Sequence, residues 1–156
     1  MTFVEICERG DVKIAQQLLE NGADINEVDS LRWTGLMRAS DTGKTEMVRF
    51  LISKGADVNL TNRLEQTALM FPCLKGSLDI VKALLDAGAN VNVADKDGKT
   101  PLMFACQGGR TEVAKLLLAA NADAKAANKD GKTVTQYATS SNKQELVSLI
   151  LQAANK

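Results

Sequence analysis

Asp95-Lys96-Asp97-Gly98-Lys99-Thr100-Pro101-Leu102-Met103 carries a tight turn followed directly by a helix start. Asp95 to Gly98 has turn composition. Thr100 is a good N-cap, and Pro101 suits the first helical position, where its missing N–H costs nothing. The helix so begun ends near Gly108-Gly109. Thr111 is then expected to cap a second helix, in which Val113, Ala114, Leu117 and Leu118 form one apolar stripe. The two helices run antiparallel, and a pair this short cannot bury its own apolar face.

The same text returns every 33 residues in both directions. Gly22-Ala23-Asp24-Ile25-Asn26 recurs as Gly55-Ala56-Asp57-Val58-Asn59 and Gly88-Ala89-Asn90-Val91-Asn92, and in worn form as Asn121-Ala122-Asp123-Ala124-Lys125. Leu18-Leu19 recurs as Leu51-Ile52, Leu84-Leu85, Leu117-Leu118 and Ile150-Leu151. Thr34, Thr67, Thr100 and Thr133 head the first helices, a stretch the first unit lacks. The period divides the chain into five units, about 1–28, 29–61, 62–94, 95–127 and 128–156, expected to form one domain over 1–156. Each helix pair must lend its apolar face to a neighbour, so the units stack into a quasi-linear array with one aliphatic core. Polar caps are expected at both ends, from Lys13, Gln16, Gln17 and Glu20 and from Thr135, Gln136, Lys143, Gln144, Glu145 and Gln152.

With the period, the Thr-x-Leu start, the Gly-Ala-Asp-Val-Asn tail and the Asp-x-x-Gly turn together, the chain resembles ankyrin-repeat proteins over essentially its whole length. The resemblance implies an all-α solenoid of stacked helix-turn-helix units with β-hairpin-like connecting turns. It also implies a concave groove lined by hairpin fingers and inner helices. Met37, Met70 and Met103 stand where the family usually has a hydrogen-bonding histidine, which affects a local polar network rather than the fold.

Composition narrows the chemistry. Among 156 residues, 19 Lys and Arg balance 19 Asp and Glu, and there is no histidine. Zero net charge argues against nucleic acid as partner. Without histidine the chain lacks the commonest general base and metal ligand. No enzymatic activity, cofactor or metal is expected. The Gly-Lys-Thr tripeptides at 43–45, 98–100 and 131–133 lack the earlier glycine of a phosphate loop, since Arg38, Val93 and Ala126 stand there. A calcium loop through Gly98 would put Val93 first and Phe104 twelfth, so it is rejected. Cys7, Cys73 and Cys106 share one slot in their units, too far apart to pair, and read as small core residues. Asn26, Asn59 and Asn92 are expected to bond the backbone of the turn that follows them. No window is apolar enough to span a membrane, and Met1 to Arg9 lacks the features of a signal peptide, so a cytoplasmic location is expected.

A partner site should lie where the period breaks. Arg32 and Glu65 replace the turn glycine kept as Gly98 and Gly131, so those fingers must bend differently or store strain. Beside them Leu31, Trp33 and Leu64 answer no core requirement, although Trp33 could instead fold over Leu64 as local packing. The candidate protein-binding residues are Leu31, Arg32, Trp33, Arg38, Arg63, Leu64 and Gln66, with Glu8, Arg9, Asp41, Leu74 and Lys75 from helix ends. Phe71, Phe104 and Tyr137 recur in one slot, which favours packing, and Arg38 breaks that series. Pro72, inside a first helix where other units have alanine, predicts a kink or a loosened helix. The expected function is a protein-binding module, as adaptor, inhibitor or immunity-type binder. The alternative is a structural or self-associating scaffold subunit, and a monomer is expected rather than a homo-oligomer.

Overall fold

The computed structural model describes residues 1–156. Ten helices follow one another: α1 (Phe3–Arg9), α2 (Val12–Glu20), α3 (Gly35–Asp41), α4 (Thr45–Ser53), α5 (Met70–Lys75), α6 (Leu78–Asp86), α7 (Pro101–Gln107), α8 (Thr111–Ala119), α9 (Val134–Ser140) and α10 (Gln144–Ala154). They pair in chain order. The first helices of the pairs contact one another in one layer, the second helices in another. No strand forms; the connecting fingers contribute only isolated bridges, Val28 with Thr34 and Ala127 with Thr133.

The stripe positions build a continuous core. Leu51, Leu84, Leu117 and Ile150 are buried from water, and Met37, Met70 and Met103 fill the interior beside them. Close packing also fixes Gly35: a Cβ there would stand 2.6 Å from the Cys7 sulfur.

Helix starts depart from expectation in three places. Thr111 does not cap α8; it is the first helical residue, after Arg110, which makes no side-chain cap bond. None of the second helices has a side-chain cap bond, so tertiary stacking rather than capping holds their starts. At the other extreme, α1 carries a full capping box between Thr2 and Glu5. The third difference concerns Pro72. Of the expected kink or loosened helix, the structure shows a shortened one: α5 begins late, at Met70, which puts Pro72 in the first turn, where no backbone donor is needed. The delay removes a cap. Thr34, Thr100 and Thr133 each accept from the backbone N–H three residues on, whereas the buried Thr67 hydroxyl has no partner.

The recurrent asparagines bond across units rather than to the following turn. Asn26, Asn59 and Asn92 accept through Oδ1 from the backbone N–H of Asp57, Asn90 and Asp123 at 2.9, 2.8 and 2.8 Å. Asn59 and Asn92 also donate to the carbonyls of Gly88 and Asn121. The local turn is closed by the residue two places earlier, Asp24, Asp57 or Asn90, whose side chain accepts from the asparagine N–H.

Both ends mix polar and apolar exposure. The carboxyl-terminal end exposes Gln136 and Gln144 but also Leu151, 45% exposed on α10. The amino-terminal end exposes Lys13, Gln16, Gln17 and Glu20 but also Ile14, 43% exposed in a slot where Met47, Ile80, Val113 and Leu146 are at most 1% exposed.

Candidate functional site

Four fingers are built on one plan. Asp29, Asn62, Asp95 and Asn128 each accept through Oδ1 from the backbone N–H groups two and four residues on, which closes the turn. Neighbouring fingers then join edge to edge: Arg63 N–H donates to Leu31 O, Lys96 N–H to Leu64 O and Lys129 N–H to Asp97 O.

The plan requires a left-handed residue at the fourth position. Gly98 and Gly131 supply it with φ of 79° and 80°, and Arg32 and Glu65 adopt the same bend, at φ 64° and 59°. Those two fingers therefore do not bend differently; they store strain of about 1 kcal/mol or more each. Leu31 and Leu64, each 52% exposed, stand directly before Arg32 and Glu65.

Along the face where fingers meet first helices, rings and cations alternate. Trp33 on the second finger stacks on Phe71 of α5, centroids 4.6 Å apart and planes at 25°. The Arg38 guanidinium lies 4.3 Å from the Trp33 centroid and bonds Asp29 Oδ2 at 2.6 Å. Trp33 thus packs on Phe71 rather than folding over Leu64. The later units invert the roles: Lys99 lies 5.7 Å from the Phe104 ring and 5.9 Å from Tyr137, and Lys132 lies 4.3 Å from Tyr137. Phe104 and Tyr137 are buried, as packing predicts. Partial burial pushes the Asp29 carboxyl upward, but hydrogen bonds from Arg38 and from the N–H groups of Trp33 and Leu31 outweigh it and hold the group below the usual carboxylate range.

The remaining candidates divide. Arg32 and Arg63 are exposed on the fingers beside Leu31 and Leu64, and Gln66 accepts from Asn62 Nδ2. Asp41 pairs with Lys75 at 2.6 Å, the Leu74 carbonyl accepts from Arg110 Nε, and the Glu8 carbonyl accepts from Thr42 Oγ1. Those contacts join one unit to the next at the helix ends. Arg9 reaches Asp11 and Met1 and lines a depression of about 360 Å³ with Ile6, Ile14 and Leu18 at the amino-terminal end, away from the fingers. Asp29, Lys99 and Lys132 were not among the candidates. Their signal is the exchange of ring and cation between the slots of Trp33, Gln66, Lys99 and Lys132 and of Arg38, Phe71, Phe104 and Tyr137.

The three thiols lie away from this face. They are free and buried; burial pushes Cys7 and Cys106 up to about 12 and Cys73 higher still.

A family model described as ankyrin repeats, three copies long, matches residues 3–95 and again 87–156. No curated protein matches the chain significantly.

Proposed function

We propose a function from one premise: the chain belongs to the ankyrin-repeat family, whose repeats are generally protein–protein interaction modules. It acts as a non-enzymatic binder of another protein, as adaptor, inhibitor or immunity-type neutraliser, through the groove of fingers and first helices. The whole of 1–156 works as one domain and as a monomer. We place it in the cytoplasm, where its three free thiols would stay reduced.

One observation carries the reading. Strain and exposure coincide at the second and third fingers, where Arg32 and Glu65 sit left-handed and each follows a half-exposed leucine. Folding alone would favour glycine and a polar tip. Leu31, Leu64, Arg32 and Arg63 therefore form the contact, with Trp33, Arg38 and Gln66 behind them. A rigid scaffold binds with little ordering cost. Affinity capture tests this with the wild type, a Leu31→Asp/Leu64→Asp variant and a back-face Lys82→Glu variant. A partner lost only with the finger variant supports the reading, and one lost only with Lys82→Glu overturns it.

The exposed Ile14 favours a second reading, a self-associating scaffold subunit that stacks through its amino-terminal end. Light scattering across concentrations distinguishes it: a mass that rises with concentration and returns to monomer in Ile14→Gln would support self-association.

A further inference from the structure

The cation–ring pairs differ in one respect. Over Trp33 the cation is neutralised inside the chain, because Asp29 Oδ2 holds Arg38 at 2.6 Å. Over Phe104 and Tyr137 it is not: neither Lys99 nor Lys132 forms an ion pair with any carboxylate. The cause lies at the head of each finger. Asn128 stands where Asp29 does, and its Nδ2 donates to the Tyr137 hydroxyl at 3.0 Å, so it brings no charge to Lys132. Asp95 is 6% exposed, bonds the N–H groups of Asp97 and Lys99 through Oδ1, and reaches no lysine. Lys132 Nζ makes no hydrogen bond, and Lys99 Nζ makes only a long one, 3.5 Å, to Gln107.

We propose that Lys99 and Lys132 receive carboxylates from an acidic segment of the protein partner, completing on Phe104 and Tyr137 the arrangement that Asp29 completes on Trp33. This rests on the groove reading above and names the partner's chemistry. The rings hold both ammonium groups in place before binding, which lowers the ordering cost of the charge pairs. Packed helices lie about 8–10 Å apart, and an extended chain rises about 3.3 Å per residue, so the segment carries Asp or Glu at i and i+3. Its apolar residues lie toward Leu31 and Leu64. A nucleic acid fits less well: the chain is formally neutral, and Asp97 and Asp130 stand beside Lys96 and Lys129 at the tips, where a continuous phosphate chain would meet like charge.

Selection of a random phage-displayed peptide library on the whole chain tests the proposal. Peptides enriched on the wild type should show acidic pairs three residues apart. That signal should vanish on Lys99→Gln/Lys132→Gln and persist on Lys99→Arg/Lys132→Arg and on back-face Lys82→Gln, with thermal melts confirming that all variants fold. One selected acidic peptide, made synthetically, should bind about tenfold or more tighter than its glutamine counterpart, with affinity falling as salt rises. Groove-dependent peptides without acidic enrichment, or acidic enrichment unchanged on the double glutamine variant, would overturn the proposal and leave the groove reading standing. Oligothymidylate binding tighter than the acidic peptide would assign the lysines to phosphate and overturn it too. Enrichment dependent on Lys82 and indifferent to Leu31 and Leu64 would count against both readings.

Discussion

The indole of Trp33 and the ring of Phe71 stack 4.6 Å apart, joining the second finger to the third unit's first helix. The ring that sequence would place on a free finger is therefore structural as well as available. Trp33→Ala should cost about 1–3 kcal/mol, through lost burial and lost stacking, where a freely exposed finger residue would cost about 0.5 kcal/mol or less. A double-mutant cycle with Phe71→Ala, followed by urea unfolding, should give a coupling of about 0.5–1.5 kcal/mol. Additive losses would mean that the two rings do not interact.

Pro72 and Thr67 form a linked pair through the delayed start of α5. Pro72→Ala should let the helix begin at Ala68, two residues earlier, and give Thr67 its cap, raising stability by about 1 kcal/mol or more. In the wild type Thr67→Val removes an orphaned hydroxyl and should stabilise by about 1 kcal/mol; in the Pro72→Ala background it removes a working cap and should destabilise. Thermal melts of the four proteins check this reversal of sign.

Asp29 makes part of the stability pH-dependent. Its folded-state pKa lies below the ordinary value of about 3.9. Its contribution is therefore complete above the unfolded pKa and is lost as the pH falls through the folded one, in the region below about pH 4. Asp29→Asn, which places there the residue type found at the equivalent Asn62 and Asn128, keeps the turn but gives up the Arg38 pair. It should lower stability by about 0.5–1 kcal/mol at neutral pH and approach the wild type in acid. A difference independent of pH would contradict the assignment.

Arg32 and Glu65 trade stability for presentation of the adjacent leucines. Arg32→Gly and Glu65→Gly should each stabilise by about 1 kcal/mol, read from urea midpoints, while weakening the captured partner. Unchanged stability would show that the left-handed turns carry no strain.

The fold was legible because the 33-residue period repeats one helix pair with its turn, and local capping at Thr34, Thr100 and Thr133 agrees with the tertiary pattern. Reading failed where a long-range partner overrides the local rule. Thr111 has the chemistry of a cap, yet α8 starts one residue earlier by packing. Asn59 could bond its own turn, but the neighbouring unit offers Asn90 N–H, and Asp57 already closes that turn. Arg9 follows Glu8 along α1, and its side chain lines a depression beside Ile14 and Leu18, a contact across the helix pair that position along one helix does not show. The exposed leucines were visible as breaks in the period. The cation–ring ladder leaves a trace in the sequence as the exchange between two slots, but the stacking of Trp33 on Phe71 crosses a unit boundary and is not visible within any one unit.

Hydrogen–deuterium exchange on the captured complex tests the groove most directly. We expect partner-dependent protection of the finger amides from Leu31 to Trp33, from Arg63 to Gln66 and from Lys96 to Lys99, with α4, α6 and α8 unchanged. Protection confined to those second helices, with the fingers exchanging as in the free chain, would contradict it.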